Sequence, residues 1–314
     1  MAIIVSDIIS EYGAYYLNSG QNMARLKRKL LFGRKTVEPA TKIRTDNTVY
    51  QLSESNMTEV VQAFQKQWTP KGDLAFTPNP IQLFKMKVDL EIYPDDIDET
   101  WLGFLASNGL SRKEWPLIRY IMEEHLPQRI DHDLETKAYY KGVFQTPTPG
   151  TAGAAENAMN GLKVLLQSNN VNHLTMPTLD PATIYDWMET FYENIAEEYQ
   201  ETPMVIGVAP KWYRAFLKDK RTLGYYDISS PGQINNTLDF SPARVLPLPS
   251  MIGTDDVWAT PQSNYLHVTK RGENAIKFKV EEYRRNVSIL TDWFEGLGFG
   301  MNGIVWTNVP EVTP

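Results

Sequence analysis

The sequence predicts a mixed α and β fold, and three observations carry that expectation. Apolar residues recur at every fourth position through one long stretch, alternate with polar residues in several others, and run unbroken through one short segment. Of the 314 residues, 42% are hydrophobic and 11% aromatic, with 8 Trp and 20 Pro, which is not the make-up of a disordered chain. Such a length suffices for a sizeable core divided into two or more lobes. No apolar run reaches transmembrane length, and MAIIVSDIISEYG carries acids where a signal peptide carries a basic head, so a soluble protein is expected. The chain has no cysteine, which excludes disulfides and thiolate metal sites and suits a reducing cytosol. A net charge of −7 argues against a general nucleic-acid binder.

In chain order, residues 1–45 read as an extended arm, with a short amphipathic helix in MAIIVSDIISEYGAYYLN. A basic run follows within it: Arg25, Lys27, Arg28, Lys29, Arg34 and Lys35. In an acidic protein this asymmetry points to an acidic partner, and a solvated helix face is the competing reading. From Asp46 to Pro94 the pattern is of strands. TVYQL alternates, and IQLFKMKVDLEIY alternates over a long span through Ile81, Leu83, Met86, Val88, Leu90 and Ile92, the pattern of a half-buried strand. Between them, Pro70, Gly72, Pro78 and Pro80 punctuate a projecting hairpin with Phe64, Trp68 and Phe76 near its tip. Two readings of these aromatics stand, a contact with another molecule and a satellite cluster folded back on the chain.

The stretch Ser111–Gly142 predicts one long amphipathic helix of roughly 45 Å, with Ile118, Met122, Leu126, Ile130, Leu134 and Ala138 along its inner stripe, flanked by Leu117 and Ile121. Ser111 and Glu114 make a capping box, Pro116 sits in the first turns, Pro127 bends the middle and Gly142 ends it as a C-cap glycine. FQTPTPGTAGAAENAMNG then reads as a loop between lobes. Asp180 and Pro181 open a helix through Ile184, Trp187, Met188, Phe191, Ile195 and Tyr199; MVIGV is a strand buried on both faces; and Ala209-Pro210 opens a helix to about Arg221. RVLPLP, DVWAT, NYLHV, IKFKVEEY, NVSIL and GFGMNGIVWTNV are strand-like, with Gly296, Gly298, Gly300 and Gly303 where a strand bends or bulges.

No catalytic constellation emerges. The four histidines are His125, His132, His173 and His267, and the first two lie seven residues apart on the long helix. That spacing spans two turns, roughly 10 Å, too far for one metal ion. HExxH, GxSxG, GxxxxGK[ST] and GxGxxG are all absent. GLGFG opens no helix, so it is no phosphate cradle; the acids Asp95, Asp96, Asp98 and Glu99 lack an EF-hand's glycine and terminal glutamate; Asp255-Asp256 reads as a turn. Glu281 and Glu282, neighbours on a strand, face opposite ways. A large mixed protein without a catalytic set points to a structural role: no enzyme, no cofactor and no metal are expected.

Three stretches resemble the Hong Kong 97-type major capsid protein of tailed phages. IDHDLETKAYYKG followed by MNGLKVLLQ looks like the end of that family's spine helix and its "NGL" segment. TIYDWMETFYENIAEEYQETPMVIGVAPKWYRAFLKDKRTLGYYD is similar to the helix, strand and helix of the axial lobe, and EEYRRNVSILTDWFEGLGFGMNGIVWTNV to the closing strands. The order of elements carries the likeness as much as these loose patterns do. It implies an α+β Hong Kong 97-type capsid fold with an N-terminal arm at 1–45, an extended loop at 46–85, a peripheral domain with a long spine helix at 86–145 and 268–295, and an axial domain at 146–267 and 296–314.

The resemblance further implies a homo-oligomer of hexamers and pentamers, forming the icosahedral shell of a tailed bacteriophage around double-stranded DNA held non-specifically. Portal, scaffolding and decoration proteins would be partners, no membrane would be involved, and assembly in the host cytoplasm would place the chain in the virion capsid. Arg25, Lys27, Arg28 and Lys29 on the arm, and Phe64, Trp68 and Phe76 on the loop, are the intersubunit contact candidates. Since the chain begins with the arm, scaffolding is expected from a separate or removed segment. Lys66 and Lys71 lie on the loop, but the covalent crosslinking of some relatives is not expected here. An encapsulin-type bacterial nanocompartment shell is an alternative that the basic arm disfavours. A cytosolic hydrolase whose activity depends on His125 or His132 is the alternative of another class.

Overall fold

The computed structural model describes residues 34–92, 121, 126–168, 170–223, 236–271, 276–283 and 286–312. Arg25, Lys27, Arg28, Lys29, the predicted first helix, the acidic segment 95–99, and Ser111, Glu114, Pro116, Leu117, Ile118, Met122 and His125 of the long helix lie outside these residues.

The described chain begins with β1 (Thr41–Thr45), β2 (Val49–Tyr50), β3 (Ser53–Met57), β4 (Leu74–Pro78) and β5 (Ile81–Gln82). β2 pairs with β5 and β3 with β4, both antiparallel, which makes one long hairpin. β6 (Phe84–Ile92) follows. The single strand predicted from Ile81 onward is therefore two, broken at Leu83, whose N–H donates to the Thr48 carbonyl at 2.9 Å. The physical reason is in the alternation, which shifts phase between Leu83 and Met86. A strand cannot keep one face inward across such a shift.

α1 (Leu126–Asp133) buries Leu126, Pro127 and Ile130, then widens into a π-helical turn, Leu134–Ala138, that buries Leu134, Glu135 and Ala138. The four-residue stripe thus faces inward as its spacing predicts, and Ile121 is buried too. Within the described part the helix deviates from regularity at this π-turn, where the Tyr139 N–H donates to the Leu134 carbonyl at 2.9 Å. The helical run ends at Ala138 with Tyr139 as its cap, ahead of the predicted Gly142, which has no left-handed φ. A Cβ there would lie 2.4 Å from the Ala138 carbonyl oxygen, and one on Gly161 would lie 2.6 Å from the same atom. Two glycines therefore let residues 159–163 lie on the helix end, with Gly161 N–H donating to the Gly142 carbonyl at 2.9 Å.

The predicted loop leads to α2 (Leu162–Leu166) and β7 (Asn172–His173). Asp180 does not cap a helix: its carboxylate accepts the Ala182 N–H at 2.9 Å in a preceding turn. Helix α3 (Ile184–Glu193) starts after Thr183 and is separate from α4 (Glu197–Gln200), because the Asn194 side chain turns back to the Thr190 carbonyl at 2.8 Å and closes the first helix. β8 (Met204–Val208) is buried throughout, α5 (Pro210–Thr222) buries Trp212 and Phe216, and β9 (Arg244–Pro247) follows. The chain closes with β10 (Val257–Pro261), β11 (Tyr265–Lys270), β12 (Ile276–Tyr283), β13 (Asn286–Phe299) and β14 (Trp306–Thr307).

Two five-stranded sheets organise these elements. In the first, β13 is the central strand. β6 lies antiparallel along one edge of it, β12 and then β11 along the other, and β1 pairs parallel with β11. NVSIL and the start of GFGMNGIVWTNV, predicted as separate runs, are this one strand of 14 residues. At Gly296 and Gly298 the pairing with β11 runs on without a bulge. These glycines admit β5 at close range, since a Cβ on Gly296 would lie 2.4 Å from the Gln82 carbonyl oxygen and one on Gly298 would lie 2.6 Å from the Ile81 side chain.

The second sheet has the order β7-β14-β10-β8-β9, with β8 and β9 parallel. Trp258 of β10 joins the sheets: its ring centroid is 5.2 Å from Tyr265 of β11 and 5.9 Å from Phe299 of β13. Gly207 of β8 makes room, because a Cβ there would stand 2.5 Å from that indole. Both sheets, α1, α3 and α5 consequently share one core. Each large apolar side chain buried in it contributes about 1.5–3 kcal/mol.

Candidate assembly surface

The long hairpin is the most exposed part of the described chain. Every residue from 57 to 78 is exposed, including Phe64 at 93%, Trp68 at 88% and Phe76 at 65% of their free surface. Neither apolar cluster of the core includes them. Among the described residues, then, these aromatics form no folded-back satellite cluster.

Polar bonds shape the tip instead. Thr58 N–H donates to the Asp73 carbonyl at 3.0 Å, Lys71 Nζ to the Val61 carbonyl at 2.7 Å, and Gln62 Nε2 to the Thr69 carbonyl at 2.7 Å. Lys71 also pairs with Glu59 at 2.9 Å. Gly72 turns the chain at φ 99°, a conformation that favours glycine. Met57, Val60, Val61 and Leu74 add apolar surface around the aromatics. Together they make a contiguous exposed apolar surface at the hairpin's tip.

The hairpin's root is fixed to the first sheet. Ile81 and Leu83 join Leu266 and Val268 in a small second core, with Ile43, Tyr50, Leu52 and Phe294 packed on it. Asn79 Nδ2 donates to the carbonyls of Phe299 and Gly300 at 2.9 and 3.1 Å, and the Asn79 N–H to that of Leu52 at 2.8 Å. Thus a rigid base carries a projecting, apolar tip.

Of the basic run, Arg34 and Lys35 are described; Lys35 is exposed, whereas Arg34 is buried at the root of the arm. Its Nε donates to Asp131 Oδ1 at 2.8 Å, and its Nη1 to Tyr139 Oη at 2.7 Å and to both oxygens of Glu295 at 2.9 and 2.8 Å. Glu295 also accepts from Tyr139 Oη and His267 Nε2 at 2.7 Å and from Trp293 Nε1 at 3.1 Å. Burial alone would raise the Glu295 carboxyl, but the charges of Arg34 and His267 hold it well below the usual range. For Asp131 burial wins over Arg34 and pushes it up to about 6. Beside this cluster Glu135 accepts the Thr36 N–H at 3.2 Å, and Thr36 Oγ1 lies 2.7 Å from both Glu135 Oε1 and Ser250 Oγ.

Arm, long helix and first sheet therefore meet in one buried polar knot that sequence reasoning missed. One signal was available: Asp131, Glu135 and Tyr139 repeat at four-residue steps beside the apolar stripe. Another was Glu295 itself, an acid inside the strand DWFEGLGF. Of the histidines, His132 is exposed, His173 joins the Val309 and Ser168 carbonyls at 2.7 and 2.9 Å, and His267 serves the knot. Asp255 and Asp256 are more than a turn: the first accepts Trp212 Nε1 at 2.8 Å, the second Tyr140 Oη at 2.6 Å. Among the described residues no group of acids and histidines has the arrangement of a metal site, and no helix is long and apolar enough to cross a membrane.

No family model and no curated protein matches the sequence. Solved structures do match the fold. A chain of the satellite phage P4 procapsid, which includes the size determination protein Sid, aligns with 94% of this chain and 100% of its own length, at a TM-score of 0.55 and 12% identity. A chain from the capsid of a native GTA particle aligns over 88% of this chain and 96% of itself, at 0.54 and 10% identity. One from the capsid of Myoviridae phage XM1 aligns over 88% and 91%, at 0.50 and 12% identity. The fold is accordingly the mixed α+β fold of Hong Kong 97-type capsid chains.

Proposed function

We propose that this chain is a major capsid protein, which self-assembles through hexamers and pentamers into the icosahedral shell of a tailed bacteriophage around double-stranded DNA. The observation that carries the reading is the hairpin of residues 57–78: an apolar, aromatic tip outside both apolar clusters of the described residues, held out from a root packed on the first sheet. A subunit meant to remain alone gains nothing from that surface, whereas a subunit in a shell buries it on a neighbour. The capsid fold and the net charge of −7 support the same reading, since a wall should not grip its genome tightly.

In this reading the chain performs no reaction. Residues 1–45 are the arm, 46–85 the loop, 86–145 with 268–295 the peripheral domain, and 146–267 with 296–314 the axial domain; β11 and β13 cross the bounds between the last two. Arg25, Lys27, Arg28 and Lys29 serve the arm's contacts with acidic surfaces of neighbours or with DNA. Portal, scaffolding and decoration proteins are the further partners, and the virion is the destination.

The test is Trp68→Ala. Removing an aromatic anchor at an interface costs about 2 kcal/mol or more. Assembly is expected to fail or to need at least about tenfold more protein, with the thermal midpoint of the dissociated subunit unchanged. A destabilised subunit with normal assembly would place the ring inside the chain's own fold and refute the reading.

A further inference from the structure

Helix α5 carries a cationic stripe. Lys211, Arg214, Lys218 and Arg221 follow one another at helical spacing, so they share one face, and all four are exposed. Trp212 and Phe216 are buried on the other side. From first to last the stripe runs roughly 15 Å. Lys211 Nζ lies 4.5 Å from the centre of the Trp212 ring, and Arg214 Nε donates to the Pro210 carbonyl at 3.2 Å, but neither meets an acid. Among the described residues, none of the four cations is in an ion pair. The helix itself gains nothing from this arrangement. Lys211 stands in the first turn, where the helix dipole disfavours a cation, and Arg214 and Lys218 are like charges one turn apart. Charges kept at a local cost point to a use outside the helix.

α3 and α4 carry the opposite charge. Residues 164–210 contain no Lys or Arg, while Asp186, Glu189, Glu193, Glu197, Glu198 and Glu201 succeed one another along these helices and the cap of α4. All are exposed except the half-buried Glu189, and none has an ion-pair partner among the described residues. Here too the charges oppose their helix: Glu189 and Glu193 repel across one turn, and Glu193 ends α3, where the dipole disfavours an acid. The two charged surfaces lie toward different edges of the second sheet. α5 packs beside β9, the strand at one edge. α4 lies by β14, with the Tyr199 ring centroid 5.5 Å from that of Trp306. β14 is three strands from β9, about 14 Å at the usual strand spacing.

We propose that the cationic stripe of α5 in one copy docks on the acidic surface of α3 and α4 in a second copy. The stripe calls for an acidic partner, and this chain supplies one toward the far edge of the same sheet. Complementary charge of this kind steers encounter and fixes register. The contact is head-to-tail, and repeated with a closing rotation it makes a ring. The proposal rests on the shell reading above and names the residues by which neighbours in one ring meet.

Charge reversal at these exposed positions tests it. Arg214→Glu with Lys218→Glu makes the stripe acidic, and Glu193→Lys with Glu197→Lys makes its partner basic. Each double variant is expected to need at least about tenfold more protein to assemble, with the thermal midpoint of the dissociated subunit unchanged. Mixed in equal amounts, the two variants complement each other, because each then meets opposite charge on both sides. A ring of alternating copies closes only with an even number, so negative-stain microscopy should show rings of six and none of five. The quadruple variant, which exchanges both charges, should assemble as the wild type does. Normal assembly of either double variant overturns the contact and leaves the shell reading standing. If the stripe variant assembles normally and retains less double-stranded DNA, the stripe serves nucleic acid and the proposal is likewise overturned. A mixture and a quadruple variant that both stay dispersed overturn it too. Arg214→Gln with Lys218→Gln covers the case of a reversal that unfolds the subunit: about threefold more protein is expected for assembly, and no change overturns the proposal. Wild-type protein that never assembles sinks the shell reading first and this contact with it.

Discussion

Replacing Arg34 by methionine takes the arginine cation out of the buried knot and leaves most of its volume. In the native fold Arg34 reaches Glu295 through Nη1 at 2.8 and 2.9 Å and Asp131 through Nε at 2.8 Å. Glu295 is completely buried. After the substitution it keeps the Tyr139, His267 and Trp293 donors and loses the arginine's charge. Removing one partner of a buried pair costs about 3–5 kcal/mol, because the other charge stays behind without water. With a urea slope near 3 kcal/mol per molar, the unfolding midpoint should fall by about 1–2 M. Tryptophan fluorescence of the dissociated subunit at neutral pH reads it. Arg34→Met with Glu295→Gln removes both charges and should recover most of the loss. A fall below about 0.3 M in the single variant, or no recovery in the double, would refute the claim that this pair fastens the arm's root to the first sheet.

Two further outcomes follow from the same region. Asp131, with an ordinary value of 3.8, is pushed up to about 6 by burial, so its contribution to stability is complete below its unfolded value and is lost as pH rises through about 6. Asp131→Asn should flatten that part of the decline in urea midpoint, measured between about pH 4 and 6.5, and an unaltered slope would remove Asp131 from the account. Glu295 behaves oppositely: held below its ordinary 4.5, it stabilises above that value and withdraws its contribution only in stronger acid. Gly296→Ala would set a Cβ 2.4 Å from the Gln82 carbonyl oxygen and force β5 off β13. A cost of about 1–3 kcal/mol and faster proteolytic cutting within residues 57–78 are expected, and unchanged cutting would show that β5 does not fix the hairpin's root.

Much of this fold was legible because local patterns and tertiary environment agree. The stripe Leu126, Ile130, Leu134 and Ala138 faces the core, MVIGV is buried on both faces, and Phe64, Trp68 and Phe76 stand on a projecting hairpin. Where the reading failed, the deciding contact lies far off in sequence. Gly142, Gly296 and Gly298 read as cap and bulge glycines, but each is required by a segment that crosses it, which no local pattern records. The break at Leu83 was visible as a phase shift and passed over. The knot around Arg34 joins residues 34, 131, 139, 267 and 295, and only the helix spacing of 131, 135 and 139 hinted at it.

At the centre is the claim that these surfaces exist to meet further copies of the same chain. Negative-stain electron microscopy of the purified wild-type protein, raised in concentration with and without added salt, tests it most directly. Closed shells, or rings of six and five subunits on the way to them, are the predicted result. Single subunits under every condition would contradict it.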